Sequence, residues 1–227
     1  MPQETSKLDR LIKDVAARYP HTLRIGRALL LVLLILVSPT FLIAHRVKPI
    51  DKEWRSIILV ALNLLFLIIS LSTVAVLIYL GNSLCAVKVH AWSPLLLWAW
   101  YLWSRCAEVL IAFYRDAMDR LTGKPAASDL TASWRVWLAL NSYLELIIDY
   151  ALLYALLPGH MWKDAPTKVT EVLWISASTI TTSGSGGFTL THWLPQLLST
   201  FEIIGGVILL VVCFALYTGG RGDARPS

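Results

Sequence analysis

Charged residues are scarce in this sequence. Only 15% of its 227 residues are Asp, Glu, Lys or Arg, whereas 56% are hydrophobic and the mean hydropathy is +0.63. A soluble domain has about 25% charged and about 45–50% apolar residues. The composition therefore predicts an integral membrane protein with several spans. The first apolar run is also too long for a cleaved signal peptide.

Motifs for catalysis, for metal binding and for nucleic-acid binding are missing. The three cysteines, Cys85, Cys106 and Cys213, lie in or beside apolar segments, which predicts small buried side chains. The five histidines show no ligand spacing, and the sequence has no P-loop, G-x-S-x-G or H-E-x-x-H motif. The net charge of +5 is scattered at the ends of spans instead of forming a stripe. We expect no enzymatic activity, no cofactor and no nucleic-acid partner.

One polar stretch interrupts the apolar pattern. It reads Thr179-Ile180-Thr181-Thr182-Ser183-Gly184-Ser185-Gly186-Gly187 and precedes an apolar run from Leu197 to Tyr217. Glycine adopts the left-handed backbone conformation at no steric cost, so alternating glycines can turn successive carbonyl groups toward one axis. Carbonyl groups in such a ring replace the hydration shell of an ion. The stretch predicts an ion filter; the alternative is a surface loop between two helices.

The segment from Trp174 to Gly206 resembles the pore loop and inner helix of the tetrameric potassium-channel superfamily, in particular the small bacterial two-helix pore module. In that module a short helix precedes T-x-x-T-T-V-G-Y-G-D, and a linker with T-W precedes an inner helix with a central glycine. The positions in register are Thr179, Thr181, Thr182, Gly184, Gly186, Thr191, Trp193, Gly205 and Gly206. With the outer helix, the resemblance covers roughly residues 134–218.

Three filter positions depart from the family pattern. Ser183 replaces the usual Val, Ser185 replaces Tyr, and Gly187 replaces Asp. In family members the Val and Tyr side chains pack outward against the pore helices and hold the filter at one diameter. Their loss predicts weak potassium selectivity or non-selective conduction of monovalent cations.

The resemblance implies an all-α membrane protein that works as a homotetramer in the cell membrane. Four copies of the loop from Thr181 to Gly187 would form the filter around permeant K+ or Na+. Thr179 and Glu202 would support the filter, and Gly205 with Gly206 would be the gating hinge. The lower pore would be lined or closed by Leu209, Val212 and Cys213. The expected partners are the other subunits and membrane lipid.

The chain divides into four parts by composition. Residues 1–27 predict an amphipathic helix at the membrane surface, which either couples to the gate or is a plain juxtamembrane helix. The remaining parts are accessory helices (28–125), the pore module of outer helix, re-entrant pore helix, filter and inner helix (126–220) and a polar tail (221–227). The accessory part contains spans at 28–44 and 56–80, and the polar residues of the second span, Asn63 and the cluster Ser70, Ser72 and Thr73, are expected to face other helices.

Residues 92–121 allow two interpretations. The segment is rich in Trp, which is typical of the membrane interface. It also carries Arg105, Glu108, Arg115, Asp116 and Asp119 on one helical stripe. Each charge at the membrane centre costs about 2.5–3.5 kcal/mol even on a lenient scale. This cost favours an interfacial helix over a third span of the accessory part. A pair of Arg105 with Glu108, at i and i+3, is expected in either case.

The outer helix contains two acidic residues within its apolar length. Asn141, Glu145 and Asp149 are spaced by four and share one face. Acidic residues inside a span indicate a function by default. A relay for protons or cations is one interpretation, and a hydrogen-bond network between helices is the other.

The topology depends on the filter, which must open outward. Four spans would then put both termini in the cytoplasm, in agreement with the basic N-terminal segment. The same arrangement leaves the basic residues 45–55 outside. A fifth span at 92–114 would place the basic N-terminus outside instead. The charge rule therefore does not decide the orientation. Two other functions remain open: a non-conducting membrane scaffold or sensor with a degenerate loop, and a transporter that uses Glu145 and Asp149.

Overall fold

A computed structural model describes residues 52–84, 92–121 and 130–213. The predicted N-terminal helix (1–27), the first span (28–44) and the C-terminal tail (221–227) lie outside the described residues. Within the described part the protein is all-helical and has no strand. The helices are α1 (Lys52–Tyr79), α2 (Trp92–Leu121), α3 (Ala132–Leu156), a 3-10 turn (Gly159–Met161), α4 (Val169–Ile180) and α5 (Trp193–Val207), which continues as a π-helix (Ile208–Cys213).

Four of these helices are long and apolar enough to cross a membrane. Their apolar segments are Ser56–Tyr79, Leu95–Asp119, Ala132–Leu156 and Trp193–Leu210. By contrast, α4 has only 12 residues, whereas a crossing helix needs about 20. The described residues therefore form a multi-pass membrane protein with one short apolar helix inserted between α3 and α5.

Side-chain pairs show that α1 and α3 run in the same direction. Asn63 donates to the Ser142 hydroxyl at 2.8 Å, and Ser70 donates to Asp149 at 2.6 Å. The contacts advance along both helices together, so the two helices are parallel. Asn63 and Ser70 thus face another helix, as predicted, whereas Ser72 is exposed and the Thr73 hydroxyl donates to the Ile69 carbonyl of its own helix at 2.9 Å.

The other two long helices run in the opposite direction. On α2, Arg105 pairs with Glu145 and Asp116 pairs with Arg135 of α3, so the contacts advance along one helix as they recede along the other. On α5, Glu202 accepts from Tyr154 near the end of α3. The end of α3, the start of α5 and the loop between them consequently lie at one end of the molecule, which we call the loop end.

The core is centred on α3, which packs against α1, α2, α4 and α5. Thr131 caps its start by accepting from the backbone N–H of Trp134 at 3.4 Å. It ends next to Pro158, because the residue before a proline is disfavoured in the helical region. Tyr150 and Tyr154 are fully buried along it. Since every other helix contacts α3, its polar groups can link the accessory helices to the rest of the protein.

Packing of α2 removes the argument that favoured an interfacial helix. Arg105 is 6% exposed and forms ion pairs with Glu108 at 3.1 Å and Glu145 at 2.6 Å. The predicted pair of Arg105 with Glu108 is confirmed. Because the guanidinium lies between two carboxylates inside the protein, these charges do not face lipid individually. The length and hydropathy of α2 then fit a crossing helix.

Helix α5 begins at Trp193 instead of the predicted Leu197. His192 caps its start, because the imidazole Nδ1 accepts from the backbone N–H of Leu194 at 3.3 Å. Pro195 is tolerated so early because the first N–H groups of a helix have no partner within it. The sequence prediction placed the start too late because it took the first residue of the apolar run, Leu197, as the start of the helix.

Candidate functional site

The loop after α4 has an alternating backbone. The φ angle is +58° at Thr182, +113° at Gly184 and +63° at Gly186, and it is negative at Ser183 and Ser185 between them. Positive φ is rare for a β-branched residue and costs about 1–3 kcal/mol when the surrounding structure enforces it. Thr182 is the left-handed residue that ends α4 in a Schellman motif, because its N–H bonds to the Thr179 carbonyl and that of Ser183 bonds to the Ser178 carbonyl; glycine occupies the next two positive-φ positions.

The entrance of the loop is fixed by the last turn of α4. The backbone N–H of Thr182 donates to the Thr179 carbonyl at 2.9 Å, and that of Ser183 donates to the Ser178 carbonyl at 2.8 Å. The hydroxyl of Thr181 donates to the Ala177 carbonyl at 2.7 Å. The C-terminal end of α4, which carries a partial negative charge, therefore lies directly at the loop and favours a cation there.

The exit of the loop is tied to the segment that follows α3. Lys163 donates its backbone N–H to the Thr189 carbonyl at 3.1 Å, and Thr191 donates to the Met161 carbonyl at 3.3 Å. Trp162 and Leu190 form an isolated β-bridge between these contacts. Both ends of the loop are thus held by the scaffold.

The serines in the middle of the loop hydrogen-bond within the loop. The hydroxyl of Ser183 lies 3.0 Å from that of Thr181. Ser185 donates its hydroxyl to the Phe188 carbonyl, and the Phe188 N–H donates to the Ser185 carbonyl at 3.1 Å. Both serine hydroxyl groups thus have hydrogen-bond partners within the loop, at the positions where members of the resembled family have Val and Tyr.

Gly186 is the point at which the loop rests on α4. A Cβ atom at this position would lie 2.6 Å from Cδ1 of Trp174 and 3.0 Å from the Ser178 hydroxyl. Only glycine fits this approach, and its φ of +63° also favours glycine. The indole of Trp174 thus supports the loop from behind, a contact that the sequence pattern did not single out.

Glu202 joins three helices behind the loop. Its carboxyl group is fully buried, accepts from the Tyr154 hydroxyl of α3 at 2.7 Å and contacts the Ser176 hydroxyl of α4. Thr179, the other predicted support, is also buried, and its hydroxyl has no hydrogen-bond partner among the described residues. Its carbonyl accepts from Thr182 instead. Glu202 and Thr179 therefore both lie where they can hold the entrance of the loop.

Gly205 and Gly206 are close-packing positions. A Cβ at Gly206 would lie 2.7 Å from the Ile180 carbonyl oxygen, which belongs to the last residue of α4. A Cβ at Gly205 would lie 3.0 Å from a methyl of Leu110 on α2. Both glycines are buried. Without side chains at these two positions, α5 can approach α4 and α2 closely at the level where the loop begins.

The hydrogen bonding of α5 changes directly after these glycines. Residues Ile208–Cys213 form a π-helix, and short π segments within α-helices are frequent at functional sites. Leu209 is 1% exposed in the core, so in this chain it packs inward instead of lining a pore. The side chains of Val212 and Cys213, the other predicted lining residues, lie outside the described part.

Glu145 and Asp149 form a polar network inside the helix bundle. Arg105 binds Glu145 through two hydrogen bonds, from Nε at 2.6 Å and from Nη2 at 3.1 Å. The guanidinium also lies 4.3 Å from the ring centroid of Phe66 on α1. Asp149 accepts from Ser70 on one oxygen, while its Oδ2 is buried without a partner in the described part of the chain. The network links α1, α2 and α3.

Arg105 is the residue of this network that sequence reasoning did not assign. Its spacing to Glu108 was visible, but its main partner, Glu145, lies on another helix. A cation within an apolar segment, in a chain with two intramembrane carboxylates, was the available signal, because such charges are stable only in pairs.

Neither a protein-family model, nor a curated protein, nor a solved structure matches the chain. No group of three or more His, Cys, Asp or Glu able to hold a metal ion occurs in the residues that the structure describes. The function must therefore be argued from the loop and its supports.

Proposed function

We propose that this chain is the subunit of a homotetrameric channel that conducts monovalent cations with weak potassium selectivity or none. The observation that carries the proposal is the backbone of the loop, in which φ alternates in sign from Thr182 to Gly186. In the channel α3 is the outer helix, α4 the re-entrant pore helix and α5 the inner helix.

The length and position of α4 support this assignment. At 12 residues the helix is too short to cross, and a non-helical loop is tolerated at membrane depth only where it is buried or lines a water-filled path. The loop residues from Thr181 to Gly184 are exposed in the single chain. In a tetramer the same residues face a central water-filled axis.

Four copies are required because one loop supplies only one quarter of a coordinating ring. The ligands in each subunit are the carbonyl groups of Thr182, Ser183 and Gly184 and the hydroxyl of Thr182; the Ser185 carbonyl accepts from the Phe188 N–H instead. The C-terminal end of α4 adds negative potential at the same place. No acidic side chain is needed in the loop for cations to be preferred over anions.

Weak selectivity follows from the two serines. Ser183 and Ser185 hydrogen-bond inside the loop, and they replace the Val and Tyr whose side chains pack against the pore helices in the resembled family. A filter whose width adapts to the ion discriminates less between K+ and Na+ than a filter of fixed width.

The decisive experiment is a reversal-potential measurement on purified protein in a planar bilayer, with K+ on one side and Na+ on the other. We expect a value near zero. A value near the K+ equilibrium potential would show that threonines and glycines alone confer selectivity. Absence of current in a protein shown not to be a tetramer would contradict the channel and favour a scaffold or sensor.

The triple variant Ser183→Val, Ser185→Tyr and Gly187→Asp tests the origin of the weak selectivity. The new side chains restore outward packing, so the permeability ratio of K+ to Na+ should rise. The matched control, Ser183→Ala with Ser185→Ala, removes the same hydroxyl groups without adding packing and should leave the ratio low. An unchanged ratio in a folded triple variant would show that side-chain packing does not set selectivity.

A further inference from the structure

Four oxygen-bearing groups form a continuous chain behind the loop. They are the Tyr154 hydroxyl, the Glu202 carboxyl, the Ser176 hydroxyl and the Ile147 carbonyl. Tyr154 donates to Oε2 of Glu202 at 2.7 Å, Oε1 of Glu202 contacts the Ser176 hydroxyl, and the Ser176 hydroxyl lies 2.7 Å from the Ile147 carbonyl oxygen. Tyr154, Ser176 and Glu202 are each at most 1% exposed.

This series of four groups contains three oxygen–oxygen contacts and therefore needs three protons. Tyr154 and Ser176 each supply one, because a hydroxyl group has a single O–H donor. The Ile147 carbonyl supplies none. If the Ser176 proton is donated to Ile147, the contact between Ser176 and Glu202 has a proton only when the carboxyl group itself carries one. A carboxylate at Glu202 would leave one of the contacts without a proton, and two acceptor oxygens would then repel each other.

The surroundings of Glu202 contain nothing that would neutralise a carboxylate. Among the described residues no Lys, Arg or His pairs with it. The titratable groups that face it are the phenols of Tyr143, Tyr150 and Tyr154 on α3 and the thiol of Cys106 on α2. From α4 the neighbour is the Ser176 hydroxyl. An unpaired ionised carboxylate in such a place is far more costly than a neutral acid with its hydrogen bonds satisfied.

We infer that Glu202 is a neutral carboxylic acid that donates its proton to the Ser176 hydroxyl. In this state it accepts from Tyr154, donates to Ser176 and joins α5 to both α3 and α4. The role of Glu202 in the channel rests on the proposed function. There Glu202 is a positioning residue that holds the pore helix, and so the entrance of the filter, in place. Loss of the proton at alkaline pH leaves one proton for the two contacts of the Ser176 hydroxyl, so α4 loses its bond either to Glu202 or to Ile147, and a charge is left inside the bundle.

The protonation state is tested by infrared spectroscopy of the purified protein at neutral pH. The difference spectrum between the native chain and Glu202→Gln should contain the carbonyl stretch of a protonated carboxylic acid, and this band should disappear as the pH is raised. Asp149 is a second buried acid, so Asp149→Asn is the matched control. This variant must leave the Glu202 band unchanged. Only carboxylate bands in the native-minus-Gln difference would overturn the inference.

The positioning role is tested by the pH dependence of cation flux and of thermal stability. The native protein should lose both at alkaline pH, whereas Glu202→Gln should keep them, because the amide donates to Ser176 and accepts from Tyr154 without titrating. The Gln variant should also resemble the native protein at neutral pH, unlike Glu202→Ala, which removes the connection. Equal losses in the native and Gln proteins at alkaline pH would overturn the role. A protonated Glu202 in a protein that never conducts would refute the channel and leave the protonation itself established.

Discussion

Gly205 and Gly206 are adjacent in α5 but face neighbours of different rigidity. A Cβ at Gly206 meets the backbone carbonyl of Ile180 at 2.7 Å, and this atom cannot move without moving the end of α4. A Cβ at Gly205 meets a methyl of Leu110 at 3.0 Å, which is the far end of a flexible side chain. The two positions therefore differ in what a methyl group costs.

We expect Gly206→Ala to destabilise the protein and Gly205→Ala to be close to neutral. Overpacking of a buried site costs about 1–3 kcal/mol, while alanine in a helix interior gains about 1 kcal/mol over glycine. At Gly206 the clash outweighs this gain, and at Gly205 the two effects nearly cancel. Thermal melting of both variants in detergent provides the comparison. Equal stability, with altered gating in both, would instead favour the predicted hinge.

The sequence was sufficient for some of these residues and insufficient for others. The order of threonines and glycines indicated the loop, because glycine recurs at every second position and adopts positive φ at no steric cost. The contact of Gly206 with Ile180 depends on how closely α5 crosses α4, and Trp174 supports Gly186 only because α4 places the indole behind the loop. Distances between helices are set by packing, and the spacing of residues along the sequence does not predict them.

At the scale of single helices, the start of α4 is held by Glu171. Its carboxylate accepts from the backbone N–H of Thr167 at 2.7 Å and from that of Lys168 at 3.1 Å. These bonds, that of Thr167 first, lower the pKa of Glu171 below its usual value. The stabilising contribution is therefore present above the unfolded pKa of about 4.3 and is lost as the pH falls through the lowered value.

Glu171→Gln should melt at a lower temperature than the native protein at neutral pH. The difference should shrink as the pH falls below about 4, because the native carboxylate becomes protonated and loses its advantage over the amide. Paired melting curves from neutral to acidic pH measure it. A difference that is independent of pH would show that the shape of the side chain, and not its charge, holds the start of α4.

The accessory helices are joined to α3 by charge as well as by apolar packing. Arg105 of α2 and Glu145 of α3 are 6% and 0% exposed and share two hydrogen bonds. Asn63 of α1 reaches the same carboxylate at 3.5 Å. Removing one member of such a pair leaves a buried charge without its partner, which costs about 3–5 kcal/mol.

Arg105→Met should thus be strongly destabilising, by about 3 kcal/mol or more, and should recover part of the loss when combined with Glu145→Gln. The long apolar side chain of Met fills the volume of the arginine stem, so the cycle isolates the charge interaction. Chemical denaturation of the two single variants and the double variant measures the coupling. Additive losses in the double variant would mean that the two residues do not stabilise the fold as a pair.

This pairing marks the limit of what helical spacing can predict. The sequence placed Arg105, Glu108 and the other charges of residues 92–121 on one stripe, and the cost of isolated charges favoured an interfacial helix. Inside the protein the cost disappears because Glu145 compensates Arg105 from another helix. The long described helices followed from hydropathy and periodicity, α4 followed from the resemblance, and neither predicted the 3-10 turn or the π-helix. The position of α2 depended on a contact between helices.

For the whole molecule, the directions of the helices separate the charged residues into two groups. Lys163 and Lys168 lie at the loop end, between α3 and α4. Arg115 and Arg135 lie at the opposite end, where α2 finishes and α3 begins, and the sequence adds basic residues in the segments that precede α1 and follow α2. The excess of basic residues at the opposite end favours a cytoplasmic position for that end. A first span at 28–44 would instead carry the basic segment 1–27 to the loop end. With a cytoplasmic opposite end the loop opens outward, as the proposed filter requires.

Cysteine labelling in intact cells tests this orientation. Asp164→Cys at the loop end and Ser133→Cys at the start of α3 introduce exposed thiols at the two ends, in a background from which Cys85, Cys106 and Cys213 have been removed. A membrane-impermeant thiol reagent should label Asp164→Cys in intact cells and Ser133→Cys only after permeabilisation. The cysteine-free background is the control and should not be labelled. The reverse pattern would place the loop in the cytoplasm, and an inward-facing loop would contradict both the charge argument and the outward-opening filter on which the proposed channel depends.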